Sequence, residues 1–460
     1  MEDYFYKFLS LYNNLPISIK RILGKLYNLL PRSFRYGNFY KLYTKRLHSF
    51  NSAKNIQKIN SEQNKILFSQ VNRAINSVRY YQKYPECLST ETFQKYPIID
   101  KKIITTNFSD FLNPYYTNKR LKTNTGGSSG NPMELYLEQN VSRSKEKAHF
   151  DWYWGQYGYK PNDKILMIRG MPLKDNRNFE YNTIDNLLTV SCYNINEKNI
   201  SYILSKINQF KPKFIHAYPS SLKIITKLLE PYLERIEFKI QAIFLGSEHL
   251  LENDRFYFNN FYQSQAVNWY GHSERLIHGG NCPFSNDFHF YPAYGYIELL
   301  DEKNMPINEL NKIGKIVATG FDNNAMPFIR YDTGDLGELS SNVKCQCGFT
   351  GLSLRKIYGR GQEYILLSDA TRVSVTAFIF GQHLEAFKNI IEMQVVQKEI
   401  GKIEINIIKS STFTLDDENS LIDTLLNSVD YKLCIVLKEV KLIPKTHRGK
   451  NIFFISHIKN

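Results

Sequence analysis

Five short stretches of this 460-residue chain hold residue types and spacings that suit phosphate, metal and acyl chemistry. Thr123 to Pro132 read TNTGGSSGNP, with three glycines and two serines within Thr125–Gly130. Such a loop leaves backbone amides free to wrap phosphate oxygens and adds hydroxyl donors. No Gly-Lys-Ser/Thr follows, so it is not a P-loop, and taken alone it reads equally as a plain Gly/Ser turn. Asn268 to Glu274 read NWYGHSE at the end of an apolar run. Tyr270 there suits the face of a flat ring, and Glu274 is a hard oxygen ligand of the kind Mg²⁺ takes beside substrate phosphates. A strand end with a capping glutamate has the same composition. Arg330 to Leu339 read RYDTGDLGEL, where Asp335 after Gly334 suits two vicinal hydroxyls, as it also suits a surface turn. Arg360 stands between Gly359 and Gly361, and Lys450 follows Gly449 in PKTHRGK, just before the apolar run NIFFIS. Three of the six cysteines, Cys282, Cys345 and Cys347, gather around the third motif. Six in this length are too few for a disulfide framework, so the expectation is a metal site in a reducing compartment.

The order of these motifs resembles the adenylate-forming superfamily of acyl-CoA synthetases, amino-acid adenylation domains and luciferases, and runs collinearly from 123 to 450. Within it the chain looks most like the phenylacetate–CoA ligase-like branch, and especially CapK-type proteins linked to capsule and other surface-polysaccharide biosynthesis. That finer likeness rests on GSEHL (246–250), YGHSERLIHGGNC followed by FHFYPAYGYIEL, CQCG (345–348) and SVTAFIFGQHLEAFKNI (374–390). The resemblance implies ATP-dependent conversion of a carboxylic acid to acyl-AMP and pyrophosphate, then transfer to coenzyme A. Amide formation on a uronic-acid or other sugar carboxylate, a carrier-protein thiol as acceptor and a nucleotide-binding scaffold without turnover are the alternatives. It also implies residue roles. Thr125, Gly126, Gly127, Ser128, Ser129 and Gly130 would hold the β- and γ-phosphates of ATP, and Tyr270 would pack on the adenine. Gly246, Ser247, Glu248 and Gly271 complete the nucleotide set. Glu274 would ligate Mg²⁺, Asp335 and Arg360 would hold the ribose, and Lys450 would reach the carboxylate and α-phosphate. Gln362 departs from the acidic hinge residue of many relatives, with Glu363 beside it. Cys282, His289, Cys345 and Cys347 form a candidate structural Cys₃His zinc site. His278 competes with His289, which is preferred because similar sequence after the cysteine recurs in that branch.

Carboxylate attack on an α-phosphate joins two anions, so the surrounding elements must converge positive charge and amide donors. Strand-like runs alternating with helical ones over 140–330 argue an α/β large domain with mixed sheets, and 291–340 suit a small antiparallel subdomain. The expected organisation is a helical part at 1–95, an adenylation core at 96–359, and a mobile α+β C-terminal domain at 360–460 after a hinge near 360–363. Acyl-pocket candidates are Trp152, Trp154, Tyr157, His216, Tyr218 and His272. Cys87, Cys192 and Cys434 are expected in the core. No run of eighteen apolar residues or cleavable leader stands out, which points to the cytoplasm. Residues 1–60 carry eleven Lys/Arg against two acidic residues beside a leucine-rich helical pattern. That segment suits either helix packing or contact with an anionic membrane at the inner face. No interleaved basic and aromatic motif suggests nucleic acid.

Overall fold

The computed structural model describes residues 12, 15–52, 55–125, 133–169, 173, 177–191, 195–341, 344–360, 364–380, 389–445 and 452–458. Gly126–Gly130, Gln362, Glu363, Lys450, Cys192 and the Arg360 side chain lie outside the described set. The chain opens with helices α1 (Ile17–Leu29), α2 (Arg32–Tyr36), α3 (Asn38–Ser52) and α4 (Ile56–Ser77). A hairpin of β1 (Arg120–Asn124) and β2 (Glu134–Glu138) pairs Asn124 with Glu134, and so brackets the Gly/Ser stretch. Helix α5 (Ser142–Gly155) follows.

One twelve-stranded sheet then organises the large domain. Its parallel half holds β3 (Ile165–Arg169), β5 (Leu187–Ser191), β6 (Phe214–Ala217), β7 (Ala242–Gly246) and β8 (Gln265–Gly271). Strand β4 (Phe179–Asn182) closes that edge antiparallel to β5. Helices α6 (Ile200–Phe210), α7 (Pro219–Leu229) and α8 (Glu252–Tyr262) connect these strands. Their apolar faces and the sheet bury a shared core that includes Ile203, Leu222, Ile225, Ile243 and Phe258. Continuous apolar runs such as AIFLG, buried at every position of β7, are what a strand covered on both faces requires.

Strand β8 also pairs antiparallel with β9 (His278–Cys282), and from there the sheet continues through β10 (Ser285–Phe290) and β14 (Ser353–Arg360). Strands β13 (Tyr331–Leu339), β12 (Ile313–Gly320) and β11 (Gly295–Leu300) complete it. The antiparallel strands expected over 291–340 are therefore present and hydrogen-bonded on to the parallel half. After β14 come the short pair β15 (Tyr364–Leu366) and β16 (Arg372–Ser374). A separate four-stranded sheet follows, with β17 (Ile390–Glu399), β18 (Lys402–Lys409), β19 (Cys434–Glu439) and β20 (Phe454–Ser456) in the order β19-β18-β17-β20. Helix α9 (Leu415–Asn427) starts on a Thr414/Asp417 capping box and packs Leu421 and Leu425 into this sheet's own core. Cys87 is buried as expected, whereas Cys434 is exposed because it opens β19 at a sheet edge.

Candidate adenylate site, acyl cavity and metal cluster

Strands β8 and β13 are not neighbours in the sheet, yet their side chains meet. The Tyr270 hydroxyl donates to Asp335 Oδ2 at 2.7 Å. Burial and the adjacent Asp335 carboxylate both raise the Tyr270 pKa, so the phenol stays a donor. Asp335 follows Gly334, whose φ of +78° turns the chain; Gly334 N donates to Asp332 Oδ1 at 2.8 Å and Asp335 N to Thr333 Oγ1 at 3.2 Å. On the facing strand Arg360 is the register partner of Asp335. Glu274 sits just beyond β8, 7% exposed. Its Oε1 accepts from the Tyr331 hydroxyl at 3.0 Å, and His272 Nδ1 lies 3.3 Å from Oε2. Burial pushes this carboxyl up, but His272, a backbone amide and Tyr331 together outweigh it and hold the pKa below its ordinary value. A carboxylate has about four acceptor positions, so these partners orient Glu274 and still leave capacity for a hard cation. Arg330, from the same motif as Asp335, has a structural task. It pairs with Glu298 at 3.0 and 2.9 Å and donates to the Gln94 and Tyr96 carbonyls.

At the Gly/Ser loop, Thr125 and Met133 close the neck. Thr125 N donates to Met133 O at 2.9 Å, and Met133 N donates to Thr125 Oγ1 at 2.9 Å. The Thr125 hydroxyl is thus used to hold the two ends of the loop together. Gly246 ends β7 where a Cβ would stand 2.4 Å from the Trp269 indole, so no larger residue fits. Ser247 follows with φ +68°, and Glu248 turns away to accept from Ser220 N at 3.0 Å and Ser220 Oγ at 3.1 Å. Glu248 therefore caps the N-terminus of α7, where a negative charge is stabilised by the helix dipole.

A cavity of about 580 Å³ opens beside Ser247, Gly271 and His272. Of the acyl-pocket candidates, Trp154, His216, Tyr218 and His272 line it, while Trp152 and Tyr157 do not. Tyr157 instead donates to Asn281 O at 2.8 Å in the aromatic core behind the wall. Residues not foreseen also line it: Trp269, His278, Arg143, Lys147 and Arg275, with Tyr36 of α2 and Asp185 of the β4–β5 turn. Trp154 stacks on Phe244 at 4.6 Å and Trp269 on His278 at 5.6 Å, so each indole has one face fixed by the protein. Among the described residues, the indole N–H groups of both tryptophans and both ring nitrogens of His278 are buried without a hydrogen-bond partner. Burial lowers the His278 pKa to about 3, which keeps its ring neutral.

Cys282, His289, Cys345 and Cys347 offer four ligand atoms, all within 4.8 Å of one another. Cys282 Sγ lies 3.5 Å from Cys345 Sγ, and Cys347 Sγ lies 3.6 Å from His289 Nδ1. The His289 ring stacks on Phe349 at 4.4 Å and 6°, which fixes its orientation. His278 is not in the cluster. The donor set and its spacing fit a tetrahedral zinc ion.

Comparison with solved structures places the fold among adenylate-forming ligases. The chain superposes on 2-hydroxyisobutyryl-CoA ligase in the post-adenylation state with a TM-score of 0.66 at 14% identity, covering 86% of this chain and 88% of that one. Against the same ligase in the thioesterification state the TM-score is 0.57. In sequence the chain is similar to CapK proteins. Residues 367–457 match the model of the CapK C-terminal domain. Over 98% of its length the chain is 24% identical to Protein CapK of Staphylococcus aureus, of which it covers 99%. A shorter stretch, 35% of the chain, is 28% identical to phenylacetate-coenzyme A ligase of Thermus thermophilus, covering 37% of that protein.

Proposed function

We propose that this protein is an AMP-forming ligase that converts a carboxylic acid and ATP to acyl-AMP and pyrophosphate, then transfers the acyl group to a nucleophile. The observation that carries the reading is the meeting of Tyr270, Glu274, Tyr331 and Asp335, from separate parts of the chain, beside a cavity large enough for an acid substrate. Asp335 would accept the two ribose hydroxyls, its plane set by Tyr270 and its charge complemented by Arg360. The loop 126–130, closed at its neck by Thr125, would wrap the phosphates. Glu274, oriented by Tyr331 and His272, would hold Mg²⁺, which supplies charge neutralisation at the phosphates. Lys450 would bridge the substrate carboxylate and the α-phosphate. The two-domain division at 360–363 would let the C-terminal domain add and withdraw that lysine between half-reactions. The Cys282/His289/Cys345/Cys347 cluster would hold zinc in a structural role.

The cavity wall favours an acid rich in oxygen over a plain aryl or fatty acid. Fixed aromatic faces with Arg143 and Arg275 for a carboxylate, and Glu146 and Asp185 as acceptors for hydroxyls, suit a sugar carboxylate, consistent with a role in surface-polysaccharide synthesis suggested by the likeness to CapK. Coenzyme A is the first acceptor to test, because the structural neighbours are CoA ligases. An amine, giving an amide on the sugar, is the second. Acid-dependent ATP–pyrophosphate exchange across aryl, fatty, amino and uronic acids tests both levels. Exchange with none of them rejects the ligase reading, and exchange with aryl acids alone rejects the oxygen-rich substrate.

A further inference from the structure

We propose that α1 docks the protein on an anionic lipid surface, lying in the plane of the interface. At about 100° per residue, Ile19, Ile22, Leu23, Leu26, Leu29 and the following Leu30 fall within an arc of roughly 120°. A helix on the surface of a globular protein turns such an arc inward. Here it faces out: all six side chains are exposed, with Ile22 at 61%, Leu26 at 56% and Leu29 at 80%. Phe34 of α2 extends the exposed apolar surface at 54%.

The packing explains the orientation. Gly24, on the side of the helix away from the arc, is buried against the β4–β5 turn, where a Cβ would stand 2.8 Å from the Thr183 carbonyl oxygen. The Thr183 hydroxyl donates to the Lys20 carbonyl at 2.9 Å. Gly24 and the Lys20 carbonyl thus face the β4–β5 turn, and Asn28 accepts from Arg35 of α2, so the leucines on the opposite side point outward.

Charge selects the occupant. Residues 15–52 contain eight Lys/Arg and no Asp or Glu; Arg32 and Arg46 pair with Asp151 and Asp322, and Lys20 and Lys25 stand on opposite edges of the arc. A second copy meeting this face would set lysines against lysines, whereas anionic headgroups would neutralise them while the leucines enter the acyl boundary. Among the described residues no helix is long and apolar enough to cross a membrane, so the contact is peripheral. The same elements border the cavity: Asp185 lies two residues beyond Thr183, and Tyr36 ends α2. Docking would bring the cavity close to the lipid headgroups.

Flotation of the full chain with phosphatidylcholine vesicles, with and without phosphatidylglycerol, tests the proposal. The expected result is binding to the phosphatidylglycerol vesicles at low salt and release at high salt. Leu26→Glu with Leu29→Glu should cut binding about tenfold or more with an unchanged Tm, since both positions are exposed. Lys25→Glu should weaken it as well. Equal binding to both vesicle types, or binding that survives the double substitution, overturns the proposal. So does a concentration-dependent dimer that the same substitutions disperse when no vesicle is bound; that result would assign the face to a second copy.

Discussion

Replacing Cys347 by Ser offers a sharp test of the metal cluster, because Cys347 is the exposed member and its sulfur contributes little packing. With zinc–sulfur bonds of about 2.3 Å, a tetrahedral ion sets neighbouring sulfurs about 3.7 Å apart, and sulfur–nitrogen pairs slightly closer. The measured separations of 3.5 Å between Cys282 and Cys345 and 3.6 Å between Cys347 and His289 lie near those edges. The protein thus holds the ligands close to their bound spacing, and binding adds to stability with little rearrangement. At free zinc about a hundredfold above Kd the gain is about 2.7 kcal/mol. Spread over roughly 350 residues at about 2.1 cal/mol/K each, that raises Tm by about 4 °C. Protein purified without chelators should carry one zinc per chain, and EDTA should lower Tm by that amount. Cys347→Ser should lose both the metal and the sensitivity to EDTA. Elemental analysis finding no zinc, or calorimetry in which EDTA leaves Tm of the wild-type protein unchanged, would refute the reasoning.

Asp335→Asn should weaken ATP binding by about 10- to 100-fold, the loss of charge-assisted hydrogen bonds, with little change in Tm; isothermal calorimetry measures it. Lys450→Ala should slow acyl-adenylate formation by about 10²–10³-fold while sparing transfer from supplied acyl-adenylate, as single-turnover assays of each half-reaction would show. Arg330→Met should destabilise the large domain by about 3–5 kcal/mol, because Glu298 would be left charged and unpaired at 8% exposure; urea unfolding checks this. Burial lowers the pKa of His278 to about 3 and that of His249 to about 4, below the ordinary 6.5. Above pH 6.5 these rings are neutral in both states and have no effect. Below it the unfolded chain binds protons that the folded one refuses, so stability should fall toward pH 4 by up to about 1.4 kcal/mol per pH unit for each ring. His278→Gln should make that decline shallower in urea titrations at stepped pH.

Much of the frame was legible because its signals are local. The strand-like and helical runs read as alternating over 140–330 became β3 and β5 to β8 with α6, α7 and α8 between them, and 291–340 became β11, β12 and β13. Cys282, Cys345 and Cys347 were legible as a group from residue type and proximity to one motif, whereas the choice of His289 over His278 came from the family resemblance. Contacts set by long-range packing were not. Nothing local marks Tyr36 or Asp185 as cavity residues, or shows that Glu248 faces Ser220, twenty-eight positions earlier in the chain. Trp269 could have been found, since it stands between the quoted Asn268 and Tyr270, but alternation along β8 gives it a face and not a neighbour. The leucine pattern of α1 likewise fixed a stripe without fixing its direction. That depended on Gly24 meeting Thr183, a contact across 159 positions.

The rung that joins Asp335 to Arg360 has a mechanical side. Arg360 is the final residue of β14, the point at which the chain leaves the large sheet for β15 and the C-terminal sheet. A group seated on Asp335, as proposed above, would therefore act on the fixed end of a lever arm. The C-terminal unit, at about a hundred residues, is roughly 30 Å across. A tilt of about 10° where β14 ends would carry its far side through about 5 Å, the length of one helical turn. On the proposed function, filling or emptying one hydrogen-bonding position on β13 would thus be read at a distance as a change in where the C-terminal sheet hangs.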